Sequence, residues 1–151
     1  MENDQICVLD ATVIIDICHG GILRETLHML GAAYAPDLVC EEAQDVSASE
    51  LEALGLQIHH LTGDEVLRLQ LTAASYTGLT HKDVAALLLA SEKSAVLLTG
   101  DDKLRWHAHQ MGLKVHGILW VLDCLIERKL LSFERAINAL EAIMANGSWL
   151  P

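Results

Sequence analysis

The sequence contains little proline and no long apolar run. Only two prolines occur among 151 residues and 21% of the residues are charged, a composition that argues against long disordered tails. No apolar run approaches the roughly 20 residues that span a bilayer, so we expect no membrane helix. A glycine-rich phosphate loop and a GxSxG motif are both missing. The length suits one domain, expected over residues 1–151, and a hydrophobic fraction of 52% supplies a sizeable core.

The cysteines form no CxxC pair. Cys7, Cys18, Cys40 and Cys124 lie far apart, and each falls in an apolar stretch. This spacing argues against a structural zinc site and indicates reduced, buried thiols. Residues 1–5 are short and acidic and do not resemble a signal peptide. Together these features predict a cytoplasmic protein.

Basic residues are scarce as well. Ten Lys and Arg stand against 21 Asp and Glu, which gives a formal net charge of −11. A phosphate backbone is attracted to basic surfaces, so this balance opposes a nucleic-acid partner. Either the acids are concentrated where a cation neutralises them, or the partner is not nucleic acid. The distribution of the charges has to decide between the two.

Short apolar segments alternate with segments of helical periodicity along the chain. Short strands alternating with helices favour an α/β fold with a parallel sheet covered on both faces, and right-handed crossovers leave few topologies for it. The pattern predicts strands at residues 6–9, 32–35, 56–59, 95–98 and 113–116. It predicts helices at residues 11–18, 22–30, 38–47 with Asp37 as N-cap, 64–76, 81–93, 103–111, 118–128 and 133–145.

Acidic residues follow the predicted strands at one end of the sheet. Asp10 ends the first strand and Asp101 ends the fourth, while Glu42 and Asp83 lie at helix starts that belong to the same end. Ligands of doubly wound sheets bind at the carboxyl ends of the strands, at the switch point. In the strand order 3-2-1-4-5 this point lies between the first and fourth strands. All four acids would then face one crevice.

Each of these acids also has a purely structural explanation. Asp101 suits a helix cap, and Asp83 with Thr80 resembles a capping box. Glu42 would favour a helix N-terminus through the helix dipole, and Asp10 suits a turn. Two predicted helix faces speak against these explanations, because acids on buried faces need a partner. Glu42 shares its face with Val39, Ala43 and Val46, and Asp83 shares one with Ala86, Leu87 and Ala90.

Clustered carboxylates need a counter-charge. Two of them about 5 Å apart repel by roughly 3 kcal/mol at an effective dielectric of about 20. Four together therefore require protonation or a cation. A site made only of carboxylates selects a hard cation with oxygen ligands, which points to Mg²⁺ or Mn²⁺. Such an ion activates water and stabilises an in-line displacement at phosphorus.

Part of the scarce basic charge lies beside these acids. Lys82 precedes Asp83, and Lys103 and Arg105 follow Asp101 and Asp102 in the sequence. With His81 and Trp106 they would form a positive, partly aromatic rim that suits single-stranded RNA. The alternative is a set of ordinary solvated charges.

Four short motifs and a final strand follow one another over nearly the whole chain. They are residues 8–12 (VLDAT), 36–42 (a P-x-x-V-x-x-E pattern that selects Glu42 over Glu41), 82–85 (KDVA), 98–102 (LTGDD) and 112–117 (GLKVHG). This order of motifs resembles the PIN-domain family, which includes the VapC-type toxins of bacterial and archaeal toxin–antitoxin pairs.

The resemblance implies a three-layer α/β/α fold with a five-stranded parallel sheet in the order 3-2-1-4-5. It also implies an endoribonuclease that depends on Mg²⁺ or Mn²⁺ and acts on RNA. A small antitoxin protein and a second copy of the chain are the candidate partners. The metal-binding and catalytic acids would be Asp10, Glu42, Asp83 and Asp101, with Asp102 as an additional candidate ligand, Thr12 and Thr99 as supporting residues, and Lys82, Lys103 and Arg105 as substrate contacts.

Two other functions compete with this one. A receiver-like signalling domain shares the sheet order, but it needs an acid pair after the first strand, an Asp after the third and a Lys after the fifth. Here the third strand ends in His59 and His60, and the fifth in His116 and Gly117. A catalytically silent PIN-like binding module is the second alternative. The complete set of acids speaks against it, and the acidic net charge speaks for it.

Overall fold

A computed structural model describes residues 5–148 of the chain. Five parallel strands form one sheet in the order β3-β2-β1-β4-β5. This order confirms the predicted topology. The strands are β1 (Cys7–Leu9), β2 (Ala33–Pro36), β3 (Leu56–His59), β4 (Val96–Leu98) and β5 (Val115–His116).

Helices cover both sides of the sheet and occupy most of the remaining chain. α6 packs on β1, β2 and β4 and contacts α3, α5 and α7, whereas α1 contacts α2, α8 and α9. These two groups complete the α/β/α arrangement. The helices are α1 (Ala11–His19), α2 (Leu23–Leu30), α3 (Asp37–Cys40), α4 (Ala48–Ala53), α5 (Gly63–Thr72), α6 (His81–Lys93), α7 (Asp102–Gln110), α8 (Ile118–Glu127) and α9 (Phe133–Ala145), with a 3-10 turn at Ala73–Ser75.

The two central strands carry the core. Every residue of β1 and of β4 is buried, and Cys7 to Leu9 pair in register with Val96 to Leu98. Strands covered on both faces require continuous apolar runs, which is why these segments show no polar alternation in the sequence. The first polar residue after each run, Asp10 and Thr99, therefore lies at the carboxyl edge of the sheet.

The predicted helix over residues 38–47 is wrong. α3 ends at Cys40, Pro36 occupies its N-cap position, and Asp37 instead accepts hydrogen bonds from the Leu38 and Leu61 amides. Turns follow, and α4 begins after Ser47, whose hydroxyl accepts a hydrogen bond from the Glu50 amide. Ser in that role starts a helix and disfavours a helix interior, so the predicted helix is reduced to the single turn of α3, and a separate helix that was not predicted begins after Ser47.

The cysteines and the helix lengths agree with the expectations from composition. All four cysteines are free, and Cys18 is half-buried whereas the other three are buried. Burial is the main cause that raises the thiol pKa of Cys7, Cys18 and Cys40 to about 11. Within residues 5–148, no helix is both long and apolar enough to cross a membrane.

Candidate active site

Asp10 is a buried carboxylate at the junction of the two central strands. Its amide donates to the Leu98 carbonyl, which extends the pairing of β1 with β4. It occupies the N-cap position of α1, yet its side chain makes no capping bond. Instead its Oδ2 accepts hydrogen bonds from the hydroxyls of Thr99 at 2.8 Å and Thr12 at 3.1 Å. With 2% of its surface exposed, Asp10 is not an ordinary turn residue.

Burial makes the Asp10 carboxyl far less acidic than usual. Its pKa is raised from 3.8 to about 6, chiefly because burial disfavours the charged form. The hydrogen bond from Thr99 opposes this rise, and the negative charge of Asp83 adds to it. The Ala11 amide and the Thr12 hydroxyl lower the pKa by smaller amounts. A cation bound next to Asp10 would oppose this rise and favour the ionised carboxylate.

The segment after β4 is tied to Asp10 by the same two threonines. The Thr12 hydroxyl accepts a hydrogen bond from the Gly100 amide at 2.8 Å, and the Thr99 hydroxyl accepts one from the Asp101 amide at 3.1 Å. The two hydroxyls lie 3.4 Å apart. Thr99 thus links the backbone of Asp101 to the carboxylate of Asp10.

Asp101 and Asp83 do cap helices, as their structural explanations predicted. Asp101 Oδ1 accepts a hydrogen bond from the Leu104 amide of α7 at 3.0 Å. Asp83 and Thr80 form a reciprocal capping box on α6. Each carboxylate uses one oxygen for this purpose, and the other oxygen accepts no hydrogen bond from the described part of the chain. Helix capping therefore leaves one carboxylate oxygen of Asp83 and one of Asp101 available to a ligand.

Glu42 is placed differently from its prediction. It lies in a turn after α3 and is exposed, so the buried helix face assigned to it with Val39, Ala43 and Val46 is wrong. Its carboxylate pairs with Lys82 at 3.3 Å, and both side chains are about a third exposed, 37% and 36%. The face assigned to Asp83 is confirmed, since Ala86, Leu87 and Ala90 are fully buried.

The four acids lie at one end of the sheet without forming a tight cluster. Thr99 connects Asp10 with Asp101, the charge of Asp83 acts on Asp10, and the Glu42–Lys82 pair adjoins Asp83 in the chain. Among residues 5–148, no three His, Cys, Asp or Glu side chains converge closely enough to hold a metal ion. Side-chain rotation of the capping acids would be needed to bring their oxygens together.

The basic residues occupy three distinct environments. Lys82 is engaged by Glu42, and the aliphatic chain of Lys103 lies against Gly78. Arg105 donates from Nη2 to the Thr99 carbonyl at 3.1 Å, so it touches the strand end that carries the site. Asp102, in the first turn of α7, is exposed.

A cavity beside the acids was not predicted from the sequence. It has a volume of about 500 Å³ and lies at the carboxyl ends of β4 and β5. His116 and Trp120 stack against each other at its wall, with ring centroids 4.3 Å apart and planes inclined by 4°. The sequence did contain a signal for this cavity, because His116 is the last residue of a strand whose carboxyl end lies at the same edge as Asp10.

A five-stranded parallel sheet in this order, with acids at the carboxyl ends of β1 and β4, is the arrangement expected of a PIN-like, nuclease-type fold. The sequence model of the PIN domain family DUF3368 matches residues 6–151. The chain belongs to the PIN domain family, whose members are generally nucleases, and the receiver-like alternative is wrong.

A solved structure gives the same fold. A PilT N-terminus domain protein from the hyperthermophilic archaeon Sulfolobus solfataricus P2 is similar with a TM-score of 0.56 and 16% sequence identity. The match covers 78% of this chain and 91% of that protein. No curated protein matches the sequence significantly.

Proposed function

We propose that this protein is a metal-dependent endoribonuclease that cleaves single-stranded RNA with Asp10 at the centre of its site. The observation that carries the proposal is the buried Asp10 carboxylate, which receives two threonine hydroxyls and has a pKa raised to about 6. A buried carboxyl near neutrality with a second acid acting on it is typical of functional sites. Neither a helix-capping role nor a turn position explains the buried Asp10 carboxylate.

The donor set fits Mg²⁺ or Mn²⁺. Oxygen is the only donor type that Asp10, Glu42, Asp83 and Asp101 offer, and hard divalent cations prefer it. One oxygen each of Asp83 and Asp101 accepts no hydrogen bond within residues 5–148. When bound, such an ion supplies an activated water and charge stabilisation at the phosphodiester. Asp102, next to Asp101 on an exposed turn, is a further candidate ligand.

Other residues of the chain would orient the acids, balance their charge and contact the RNA. Thr12 and Thr99 hold the Asp10 carboxylate in one orientation, and Thr99 also positions Asp101 through its amide. Lys82 balances the charge of Glu42 while no cation is present. Lys82, Lys103 and Arg105 would contact the RNA backbone as point charges and as a guanidinium fork.

The direct experiment is Mn²⁺-dependent cleavage of a labelled single-stranded RNA by wild type and by Asp10→Asn. Asn keeps the shape and can accept both threonine hydrogen bonds, so the fold should survive while cleavage is lost. The matched control is Asp64→Asn, which removes a charge from an exposed position on α5. Cleavage by Asp10→Asn at the wild-type rate would show that the assigned site is wrong.

A catalytically silent binding module is the second candidate. Two observations favour it: no three ligands converge within residues 5–148, and Glu42 is already paired with Lys82. It predicts that RNA binds but is never cut, with or without Mn²⁺. RNA cleavage that Asp10→Asn abolishes would eliminate this candidate.

A toxin role with a small antitoxin partner follows from the family resemblance and extends the proposal. Expression of the chain alone should slow growth, and co-expression of the small protein encoded beside it should relieve the arrest. Cleavage in vitro without any growth defect would reject the toxin role and leave the nuclease intact. Sedimentation of the purified chain tests the homodimer.

A further inference from the structure

The cavity at the carboxyl ends of β4 and β5 adjoins the proposed metal site and shares only the additional candidate ligand Asp102 with it. Gly100, which precedes Asp101, is part of its wall, together with Asp102, Arg105, His116 and Trp120. Its volume of about 500 Å³ lies within the usual range of roughly 300–1,000 Å³ for small-molecule sites. None of the four proposed ligands Asp10, Glu42, Asp83 and Asp101 lines it. Gly100 and Asp102, on either side of Asp101 in the chain, place the cavity next to the proposed metal site.

Arg105 provides the cavity with a positive charge that forms no ion pair within residues 5–148. One guanidinium nitrogen donates to the Thr99 carbonyl. The guanidinium is seated against Gly117, where an added Cβ would lie 3.0 Å from Nη2. A guanidinium held this way presents its remaining N–H groups in the fork that suits phosphate oxygens.

His116 and Trp120 provide an aromatic wall. Both rings are partly exposed, and they stack nearly parallel. Burial, followed by the charges of Arg105 and Lys114, lowers the pKa of His116 and so favours the neutral imidazole. A neutral, flat ring pair beside a guanidinium offers a stacking surface for a nucleobase next to an anion site.

The acids of the cavity restrict what else it can hold. Asp16 and Asp102 also line it, and Asp16 accepts a hydrogen bond from Ser148 at 3.2 Å. Two carboxylates with one guanidinium disfavour a second phosphate in the same space. They suit the hydroxyls of a ribose and the amino groups of a base, which donate hydrogen bonds.

We propose that this cavity binds one nucleotide of the RNA strand beside the cleaved bond, with Arg105 on its phosphate and the His116–Trp120 pair against its base. This assignment rests on the proposed ribonuclease function and names a substrate subsite for it. The ligand class is a nucleoside monophosphate unit of single-stranded RNA.

The test is equilibrium binding of a short fluorescein-labelled single-stranded RNA in EDTA, where no cleavage occurs. Arg105→Gln should weaken binding by about tenfold or more, because a charged hydrogen-bonding partner of the phosphate is lost. Trp120→Ala should weaken it by at least about fivefold, whereas Trp120→Phe keeps a stacking ring and most of the affinity. Gly117→Ala should weaken binding by displacing the guanidinium, since the extended backbone there accepts alanine.

Two variants control for charge and for aromatic surface. Lys93→Gln removes one positive charge at the far end of α6, about 20 Å from its first turn, where the ammonium lies over Tyr34. Phe133→Ala removes an exposed ring at the start of α9, whereas the cavity wall includes Ser148 beyond its end. Both should bind RNA as wild type does. Circular dichroism and a thermal melt identify any variant that fails to fold. If Trp120→Ala fails, Arg105→Gln and Gly117→Ala carry the test.

Competition with free ligands tests whether the cavity recognises the base as well as the phosphate. Adenosine monophosphate should displace the RNA at a lower concentration than inorganic phosphate does, and equal potency would overturn the assignment of the base. Wild-type affinity in Arg105→Gln and Gly117→Ala, or a wild type that binds no RNA, would overturn the subsite. Loss of binding in these variants from a wild type that never cuts RNA would support the subsite and reject the nuclease, so the two failures are distinguishable.

Discussion

The Thr99 hydroxyl donates a 2.8 Å hydrogen bond to Oδ2 of Asp10 and so links the end of β4 to the end of β1. The same hydroxyl accepts a hydrogen bond from the Asp101 amide. One side chain therefore orients a buried carboxylate and the acid of the neighbouring strand. Both bonds lie at the carboxyl edge of the fully buried strands β1 and β4, so they position the two acids relative to the core.

Thr99→Val should lower activity and stability together. Valine keeps the shape but leaves Asp10 with one hydroxyl donor fewer and the Asp101 amide without its acceptor, at a cost of about 1–3 kcal/mol. A thermal melt and an RNA cleavage assay measure both effects. The matched control is Thr26→Val, because the Thr26 hydroxyl is fully buried and has no hydrogen-bond partner within residues 5–148. That variant should be as stable as wild type or more stable, and an equal loss in both variants would contradict the role of Thr99.

Asp10→Asn should stabilise the metal-free protein at neutral pH and not in acid. The folded pKa of about 6 lies above the unfolded value of 3.8, so the folded state binds more protons between them and stability falls as pH rises through this window. Above pH 6 the buried Asp10 carboxylate lowers the free energy of unfolding by about 3 kcal/mol, and below the unfolded pKa it does not lower it. Melts in EDTA across this range should show the variant gaining only above about pH 4. A constant difference at every pH would reject the raised pKa.

Asp101→Asn and Asp101→Ala separate capping from metal binding. Asn caps about as well as Asp, so Asp101→Asn should be nearly neutral in EDTA, whereas Asp101→Ala should lose about 1 kcal/mol. If Asp101 is also a ligand, Mn²⁺ should raise the melting temperature of wild type more than that of Asp101→Asn. Identical Mn²⁺ shifts in wild type and Asp101→Asn would leave this acid as a cap alone.

Lys82→Gln should tighten Mn²⁺ binding. The ammonium of Lys82 lies 3.3 Å from Glu42 and competes with a cation for that carboxylate. The exposed pair itself contributes little, about 0–1 kcal/mol, so stability in EDTA should hardly change. Lys103→Gln is the control, because its side chain lies against Gly78 and not against an acid. If neither Lys82→Gln nor Lys103→Gln changes the affinity for Mn²⁺, Glu42 is not a metal ligand.

The apolar runs predicted the strands and the positions of Asp10 and Asp101 because both depend on the core, whereas the strand order followed from the resemblance to the PIN-domain family. β1 and β4 are continuous apolar runs, and the first polar residue after such a run must lie at the sheet edge. The break between α3 and α4 was missed, because the buried Ala43 and Val46 imitate a helical stripe across a turn. The Glu42–Lys82 pair and the His116–Trp120 wall were missed for a different reason. Each joins residues whose contact depends on side-chain orientation, which periodicity does not report.

The most direct test of the account is a calorimetric titration of Mn²⁺ into wild type, Asp10→Asn and the surface control Asp64→Asn at pH 7.5. At this pH Asp10 is ionised in the folded protein, since its pKa is about 6. If Asp10 is the centre of the metal site, wild type and Asp64→Asn should bind Mn²⁺ saturably, and Asp10→Asn should bind it far more weakly or not at all. Binding of equal strength and stoichiometry in all three proteins, or no binding in any of them, would contradict an Asp10-centred metal site.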